Sequence, residues 1–215
     1  MDLSRLALPD AWTTAAWLAA LPILAFAAGR ARWREAASGA AAQVWPAALA
    51  ALVLLWSIRG SVEPHFAFHL SGVAALALAT GPWLALAGGA VVVAATFALG
   101  GAPWVNAALV WLLAVALPAA VAIGVLRMTE RLLPANYFVY VFVAAFLGSA
   151  VAWLASGAAG AVVLVAALDV PPALAFGDYL LYLAILAVGE ATLTGMSIAL
   201  CAAYRPEWVA TWRGP

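Results

Sequence analysis

Residues 104–126 read WVNAALVWLLAVALPAAVAIGVL and contain no charged side chain. This run is longer than the roughly 20 apolar residues that a helix needs to cross the hydrocarbon core of a bilayer. The stretch therefore predicts a membrane-spanning helix, and it indicates that the chain as a whole is a membrane protein.

The composition of the whole chain has the same character. Of its 215 residues, 68% are hydrophobic and 8% are charged, whereas about 25% are charged in a typical soluble domain. The formal net charge is zero and every cationic side chain is an arginine, so the sequence offers no basic patch for nucleic acid. The lone Cys201 excludes an intrachain disulfide. We predict an all-α integral membrane protein that forms a single polytopic domain over residues 1–215.

The apolar stretches predict about seven membrane-spanning helices in a bundle. They cover residues 11–29, 39–58, 65–80, 83–99, 104–126, 136–168 and 179–204. The sixth stretch is too long for one straight pass, and we expect it to kink or break at Ser156, Gly157 or Gly160. A break there would make it two passes.

The arginines indicate the orientation of the bundle. With the N-terminus outside, most of them fall in cytoplasmic loops, as the positive-inside rule requires. These cytoplasmic arginines are Arg30, Arg32, Arg34, Arg127, Arg131, Arg205 and Arg213. Only Arg5 and Arg59 fall outside. We expect a multi-pass protein of a bacterial inner membrane, because an alanine-rich chain with arginine in place of lysine is typical of GC-rich bacterial genomes.

Residues 63–70, EPHFAFHL, hold both histidines of the chain. If they lie on a helix, His65 and His69 share one face, one turn apart. Two imidazoles with the nearby carboxylate of Glu63 suit nickel, cobalt, zinc or copper and suit calcium poorly. The stretch predicts a metal site, although an interfacial histidine and a second one bonded to a neighbouring helix would also explain the pair.

Three further polar residues belong to the candidate pathway or its surroundings. Glu190 lies deep in the last span, where a carboxylate is expensive unless it is partnered or protonated. It is interpreted either as a proton or cation relay or as a structural hydrogen bond to another helix, for example through Thr192, Thr194 or Asn106. Asn106 is interpreted as a helix–helix bond or as a residue that supports a ligand. Asp178 either attracts cations or caps the last helix.

The stretch from His69 to Trp83, HLSGVAALALATGPW, resembles the CbiM-type permeases. These are the cobalt and nickel substrate-specific components of energy-coupling factor (ECF) transporters of the ABC class, and they carry Gly-His-Leu-x-Gly-Gly followed by Gly-Pro-Trp. The matching residues, in order, are His69, Leu70, Gly72, Gly81, Pro82 and Trp83. Residues 106–127 are similar to an asparagine-containing span of the family.

The resemblance implies a helix bundle with an outward N-terminus that works with a membrane coupling subunit and cytoplasmic ATPase subunits. It implies that His69 is a metal ligand. In the family the amino terminus and a histidine at position two complete the site, but here position two is Asp2, and Phe68 stands where the family has glycine. His65 and Glu63 are therefore hypothesised to replace the missing ligands.

Two functions fit these features. The first is an uptake component for a divalent transition metal, nickel or cobalt favoured and copper or zinc possible, with no organic cofactor. It would need partners, because the sequence has no Gly-x-x-x-x-Gly-Lys-[Ser/Thr] loop for ATP. The second is a membrane metal chaperone that passes copper or another metal to a partner enzyme. We do not expect an enzyme, since no nucleophile–base set and no second histidine pair for haem can be found.

Overall fold

A computed structural model describes residues 3–58, 60–63 and 66–214, with only the backbone described at 61–63, 66, 67, 178 and 180. Eight helices follow one another in this part of the chain. They are α1 (Asp10–Arg30), α2 (Trp33–Ala36), α3 (Ala41–Ser57), α4 (Val73–Thr80), α5 (Pro82–Gly100), α6 (Trp104–Leu132), α7 (Tyr137–Leu168) and α8 (Leu174–Tyr204). A two-stranded antiparallel hairpin, β1 (Gly60–Glu63) and β2 (Phe66–Phe68), lies between α3 and α4.

Five of these helices, α1, α5, α6, α7 and α8, are long and apolar enough to cross a membrane. The shorter α3 is an apolar helix of 17 residues. The predicted all-α membrane fold is thus confirmed, with the small hairpin as its one sheet among the described residues. The count of seven spans is not confirmed by these helices, and the outward N-terminus stays a prediction.

The two ends of the bundle differ in composition. One end, here called the loop end, contains the N-terminal segment and the connection between α5 and α6. There Arg5 donates a hydrogen bond to the Gly100 carbonyl (2.8 Å), and Trp17 donates one to the Val105 carbonyl (3.1 Å). At the other, the arginine end, Arg30 and Arg127 lie near the C-terminal segment. The helices therefore separate a loop-rich end from an arginine-rich end, as the loop charges predict.

The predicted third span, a helix over residues 65–80, is wrong. Residues 66–68 form strand β2, residues 69–72 are irregular, and the helix begins only at Val73. Gly72 has a φ of 63°, a left-handed conformation that ends any helix arriving from the N-terminal side. The resulting α4 has 8 residues and a length of about 12 Å, too short to cross a bilayer.

Helix α4 lies among the longer helices and is held at its far end by the C-terminal segment of the chain. After α8, residues 205–214 fold back under the bundle. There the Ala210 amide donates to the Ala79 carbonyl (2.8 Å), and the Thr211 hydroxyl donates to that of Leu78 (2.8 Å). These bonds satisfy carbonyls that the end of a helix leaves without intrahelical donors. The C-terminal segment thus fixes α4 at the arginine end.

The long apolar stretch of residues 136–168 forms one unbroken helix, α7. The predicted break at Ser156, Gly157 or Gly160 is wrong, because all three lie within one continuous stretch of helix. Gly157 has a packing role instead: a Cβ at this position would overlap the Leu183 side chain of α8. With only a hydrogen in place of a side chain, Gly157 lets the two helices lie in close contact.

Ser156 completes the hydrogen bonding of a distortion in α6. Residues 112–116 of α6 form a wide π-turn in which the Leu117 amide bonds to the Leu112 carbonyl, five residues back. In the same pattern the N–H of residue 118 would donate to the Leu113 carbonyl, but residue 118 is proline and has no N–H. The Ser156 hydroxyl donates to that carbonyl instead (2.5 Å). A bond between helices thus replaces one that proline removes, as apolar surroundings require.

We expect Ser156→Ala to destabilise the bundle by about 1 kcal/mol, because it leaves the part-buried Leu113 carbonyl without a donor. Ser57→Ala is the matched control, since the exposed Ser57 hydroxyl bonds only to Val53 of its own helix. Detergent-titrated unfolding would measure both variants. Equal midpoints for the two would show that the bond between the helices contributes nothing.

Candidate metal-binding site

His69 lies in the irregular segment between β2 and α4, buried beneath the loop end of the bundle. Its side chain is 7% exposed. The imidazole packs against the indole of Trp56 in α3, with 4.7 Å between the ring centroids, and its Nδ1 lies 3.1 Å from the Leu70 carbonyl oxygen. The Trp56 Nε1 in turn donates to the Ser71 carbonyl (2.8 Å). The ring is therefore held in place by the segment itself and by α3.

Glu190 of α8 holds the same segment from the opposite side. Its carboxylate is 1% exposed and accepts hydrogen bonds from the backbone amides of Ser71 and Gly72, both at 2.8 Å. The Ser71 hydroxyl accepts from the Val73 amide (3.2 Å). Three amides at the start of α4 thus have side-chain acceptors, and a carboxylate at a helix N-terminus also interacts favourably with the helix dipole.

The hydrogen bonds from Ser71 and Gly72 to Glu190 place residues 69–72 deep in the bundle. Glu190 lies twelve residues beyond Asp178, which is about 18 Å along α8. The segment therefore descends from the hairpin at the loop end to the middle of α8. Gly72 is required there, because a Cβ at this position would lie 2.6 Å from Cδ2 of Leu52, in addition to the positive φ.

A cavity of about 380 Å³ adjoins His69. Phe68, Leu70, Tyr182 and Leu186 line it together with the imidazole. Apart from the histidine, its side chains offer little polar chemistry, so His69 is the metal-binding group that this cavity presents among the described residues.

Asn106 is buried and anchors the N-terminal segment. Its Nδ2 donates to the carbonyls of Ser4 (3.1 Å) and Leu6 (2.9 Å). Leu3 and Ser4 are both 2% exposed, so the start of the described chain is packed into the loop end. Asn106 therefore bonds neither a helix nor the His69 segment in these contacts, but fixes residues 3–6.

The structure brings His69 and Glu190 together through two residues of backbone and leaves three other predicted site residues, His65, Glu63 and Asp178, undecided. His65 lies outside the described residues. Glu63 ends β1 and Asp178 ends a wide turn at the start of α8, and neither side chain is described. Among the described residues, no three histidine, cysteine or acidic side chains cluster closely enough to hold a metal.

The helical geometry assumed for the histidine pair is wrong. His69 follows a strand, and a strand rises about 3.3 Å per residue, so the spacing of four residues does not set two imidazoles one helical turn apart. Sequence reasoning also missed Trp56, Ser71 and the capping role of Glu190. The Ser71-Gly72 pair was the available signal, since both residue types favour helix starts over helix interiors.

These features define a class of protein: a polytopic membrane bundle in which a short inner helix carries a buried histidine segment at its start. Within that class, the chain belongs to the CbiM family. The family's sequence profile, described as cobalt uptake substrate-specific transmembrane region, matches residues 3–208. The family resemblance of residues 69–83 is thereby confirmed. Members of this family are membrane components of metal uptake and do not form a class of enzymes.

Two solved structures have the same fold as this chain. One, described as a transition metal transporter, is 15% identical and superposes with a TM-score of 0.75, covering 94% of this chain and 93% of that one. A second, a truncated transition metal transporter, is 16% identical with a TM-score of 0.73, covering 95% and 99%. At this identity the likeness establishes the fold alone. A sequence search of curated proteins finds no significant match.

Proposed function

We propose that this chain is the substrate-binding membrane component of an ECF-type transporter that takes up a divalent transition metal, with nickel or cobalt favoured over copper and zinc. The observation that carries the proposal is the buried His69 imidazole, held from both sides at the start of α4 in a member of a metal-uptake family. Family membership favours uptake over the metal-chaperone alternative.

The environment of His69 suits a metal ligand. A proton on Nδ1 would be donated to the Leu70 carbonyl, and the neutral ring in that tautomer carries its lone pair on Nε2. Metal-binding histidines commonly donate their second ring N–H to such a carbonyl. His65 and Glu63, from the connection and first strand of the hairpin, are the proposed further ligands, with Asp178 as a residue that draws cations to the loop end.

Glu190 and Asn106 are proposed to position the site rather than to bind metal. The two oxygens of Glu190 are occupied by the Ser71 and Gly72 amides, so the carboxylate sets where His69 stands. Asn106 fixes the N-terminal segment over the same end of the bundle. Losing either residue would displace the surroundings of the imidazole without removing a ligand.

Transport itself is proposed to require a membrane coupling subunit and cytoplasmic ATPase subunits. The sequence contains no loop for ATP phosphates, and the arginine end is the face proposed to lie in the cytoplasm, with the loop end and the N-terminus outside. The membrane is proposed to be the bacterial inner membrane.

Uptake of radioactive nickel and cobalt by bacterial cells that lack their own transporters for these metals tests this function. Cells expressing the chain with the coupling and ATPase subunits of its source organism should accumulate metal above empty cells. The accumulation should fall to background when the ATPase cannot hydrolyse ATP. No accumulation of nickel, cobalt, copper or zinc would refute uptake, and accumulation that is independent of the ATPase would refute the ECF mechanism.

A further inference from the structure

A second cavity, of about 520 Å³, lies at the arginine end, separated from the His69 segment by the length of α4. Thr80 and Gly81, at the end of α4, line it together with the ends of α1 and α6 and the C-terminal segment. Its charged residues are Arg30, Arg32, Arg127, Arg213, Glu35 and Glu130. Four guanidinium groups and two carboxylates therefore surround one opening.

Two of the four arginines are already paired. Arg32 lies 3.3 Å from Glu35, and Arg213 lies 3.9 Å from Glu130. Arg30 and Arg127 have no carboxylate partner in the described part of the chain, and the Arg30 guanidinium lies over the Phe26 ring, 5.1 Å from its centroid. The lining thus carries an excess of two positive charges, both available to an anion.

The start of α5 adds backbone donors to the same opening. Pro82 begins the helix, and the first bond of the ladder runs from the Ala85 amide to the Gly81 carbonyl (3.1 Å). The amides of Trp83 and Leu84 precede that bond and so have no intrahelical acceptor. Trp83 and Leu84 both line the cavity. The N-terminus of α5, the positive end of a 19-residue helix, therefore lies at the same opening as the arginines.

The deeper wall of the cavity is apolar. Leu84, Ile123 and Leu126 are buried, whereas Arg30 and Arg127 are exposed. The opening occurs where the candidate span α1 ends and the candidate span α5 begins, which is where a membrane surface is expected. Basic pockets between membrane helices on the cytoplasmic side bind anionic headgroups. A gradation from guanidinium groups to apolar side chains suits an amphiphile better than a soluble anion or an acidic protein segment.

We propose that this cavity binds the phosphate diester headgroup of an anionic phospholipid, with Arg30 and Arg127 as its principal contacts. Bidentate bonds from guanidinium to phosphate oxygens and the α5 amides would hold the headgroup, and the apolar wall would receive the start of an acyl chain. The cavity is distinct from the proposed metal site, because the length of α4 lies between it and His69.

Native mass spectrometry of the purified full chain, titrated with phosphatidylglycerol or phosphatidylcholine, tests the proposal. Wild type should retain phosphatidylglycerol preferentially. Each arginine near an anionic headgroup contributes about fivefold in affinity, so Arg30→Gln with Arg127→Gln should weaken retention by about thirtyfold. The lysine pair, Arg30→Lys with Arg127→Lys, should recover most of the binding. Thermal unfolding in detergent would establish that each variant is folded.

The matched control is Arg34→Gln with Arg131→Gln, which removes the same charge at the same end without touching the cavity. It should change retention by no more than about twofold. Equal losses for the two pairs would overturn the proposal in favour of general surface attraction. Displacement of the lipid by equimolar inorganic phosphate would assign the cavity to a soluble anion. Displacement by the coupling subunit would assign it to a protein, and either result contradicts the proposal.

Discussion

Glu190→Ala is expected to cost about 3 kcal/mol of stability and to abolish metal binding. The substitution leaves the amides of Ser71 and Gly72 buried without acceptors, and each buried unsatisfied amide costs about 1–3 kcal/mol. It also removes the carboxylate that caps α4. Detergent-titrated unfolding and calorimetric metal titration would measure the two effects. Glu207→Ala, at an exposed position after α8, is the matched control and should change neither.

Glu190→Gln separates positioning from direct metal ligation. A glutamine can accept from only one of the two amides and presents an N–H₂ to the other, so we expect a folded protein whose metal affinity falls by about 10- to 100-fold, as for other residues that orient a ligand. X-ray absorption at the metal edge should show the same nitrogen and oxygen ligand set in the fraction that remains loaded. A change in that ligand set would identify Glu190 as a ligand and contradict the positioning role.

His69→Ala is expected to weaken metal binding by at least about 100-fold, since it removes a first ligand rather than a residue that supports one. The cost in stability should be small, about 1 kcal/mol, because the substitution loses a ring contact with Trp56 while the Glu190 bonds remain. Titration calorimetry with nickel and cobalt measures the first effect and thermal unfolding the second.

Trp56→Phe is the matched control for His69. It preserves an aromatic ring beside the imidazole and removes the indole N–H bond to the Ser71 carbonyl together with part of the buried ring, so we expect a loss of metal affinity well below that of His69→Ala. If the two variants lose affinity equally, the imidazole acts through packing and not as a ligand. His65→Ala in the same series would test the second proposed histidine.

The long spans could be predicted from sequence because they depend on local composition. Residues 104–126 have no charge over more than the thickness of the hydrocarbon core, and the structure places them within one helix. The same applies to residues 83–99, which Gly81-Pro82 and Gly100-Gly101 delimit on both sides. The grouping of arginines at one end of the bundle follows from the sequence for the same reason, since their positions relative to the spans are set by the order of the chain.

The third span could not be predicted because long-range contacts determine its geometry. An apolar run from residue 65 to 80 satisfies every local rule for a helix, yet the bonds that hold residues 71 and 72 come from Glu190, more than a hundred residues away. The carboxylate of Glu190 does accept hydrogen bonds, but from backbone amides rather than from Thr192, Thr194 or Asn106. Asn106 likewise bonds the N-terminal segment, which no periodicity indicates.

The unbroken α7 illustrates a third kind of limit. Ser156 and Gly157 are typical of a kink when they are considered within their own helix. Their roles appear only beside their neighbours, where Ser156 replaces a bond that Pro118 removes and Gly157 accommodates Leu183. A sequence without its contacts does not distinguish a flexible pair from a closely packed one.

Metal analysis of the purified protein tests the central claim most directly. Wild type, His69→Ala and Glu207→Ala would be exposed to equal mixtures of nickel, cobalt, copper and zinc, passed through gel filtration and measured by elemental mass spectrometry. We predict that wild type and Glu207→Ala retain nickel or cobalt, whereas folded His69→Ala retains neither. Equal metal content in all three proteins would contradict a metal site built on the segment between β2 and α4.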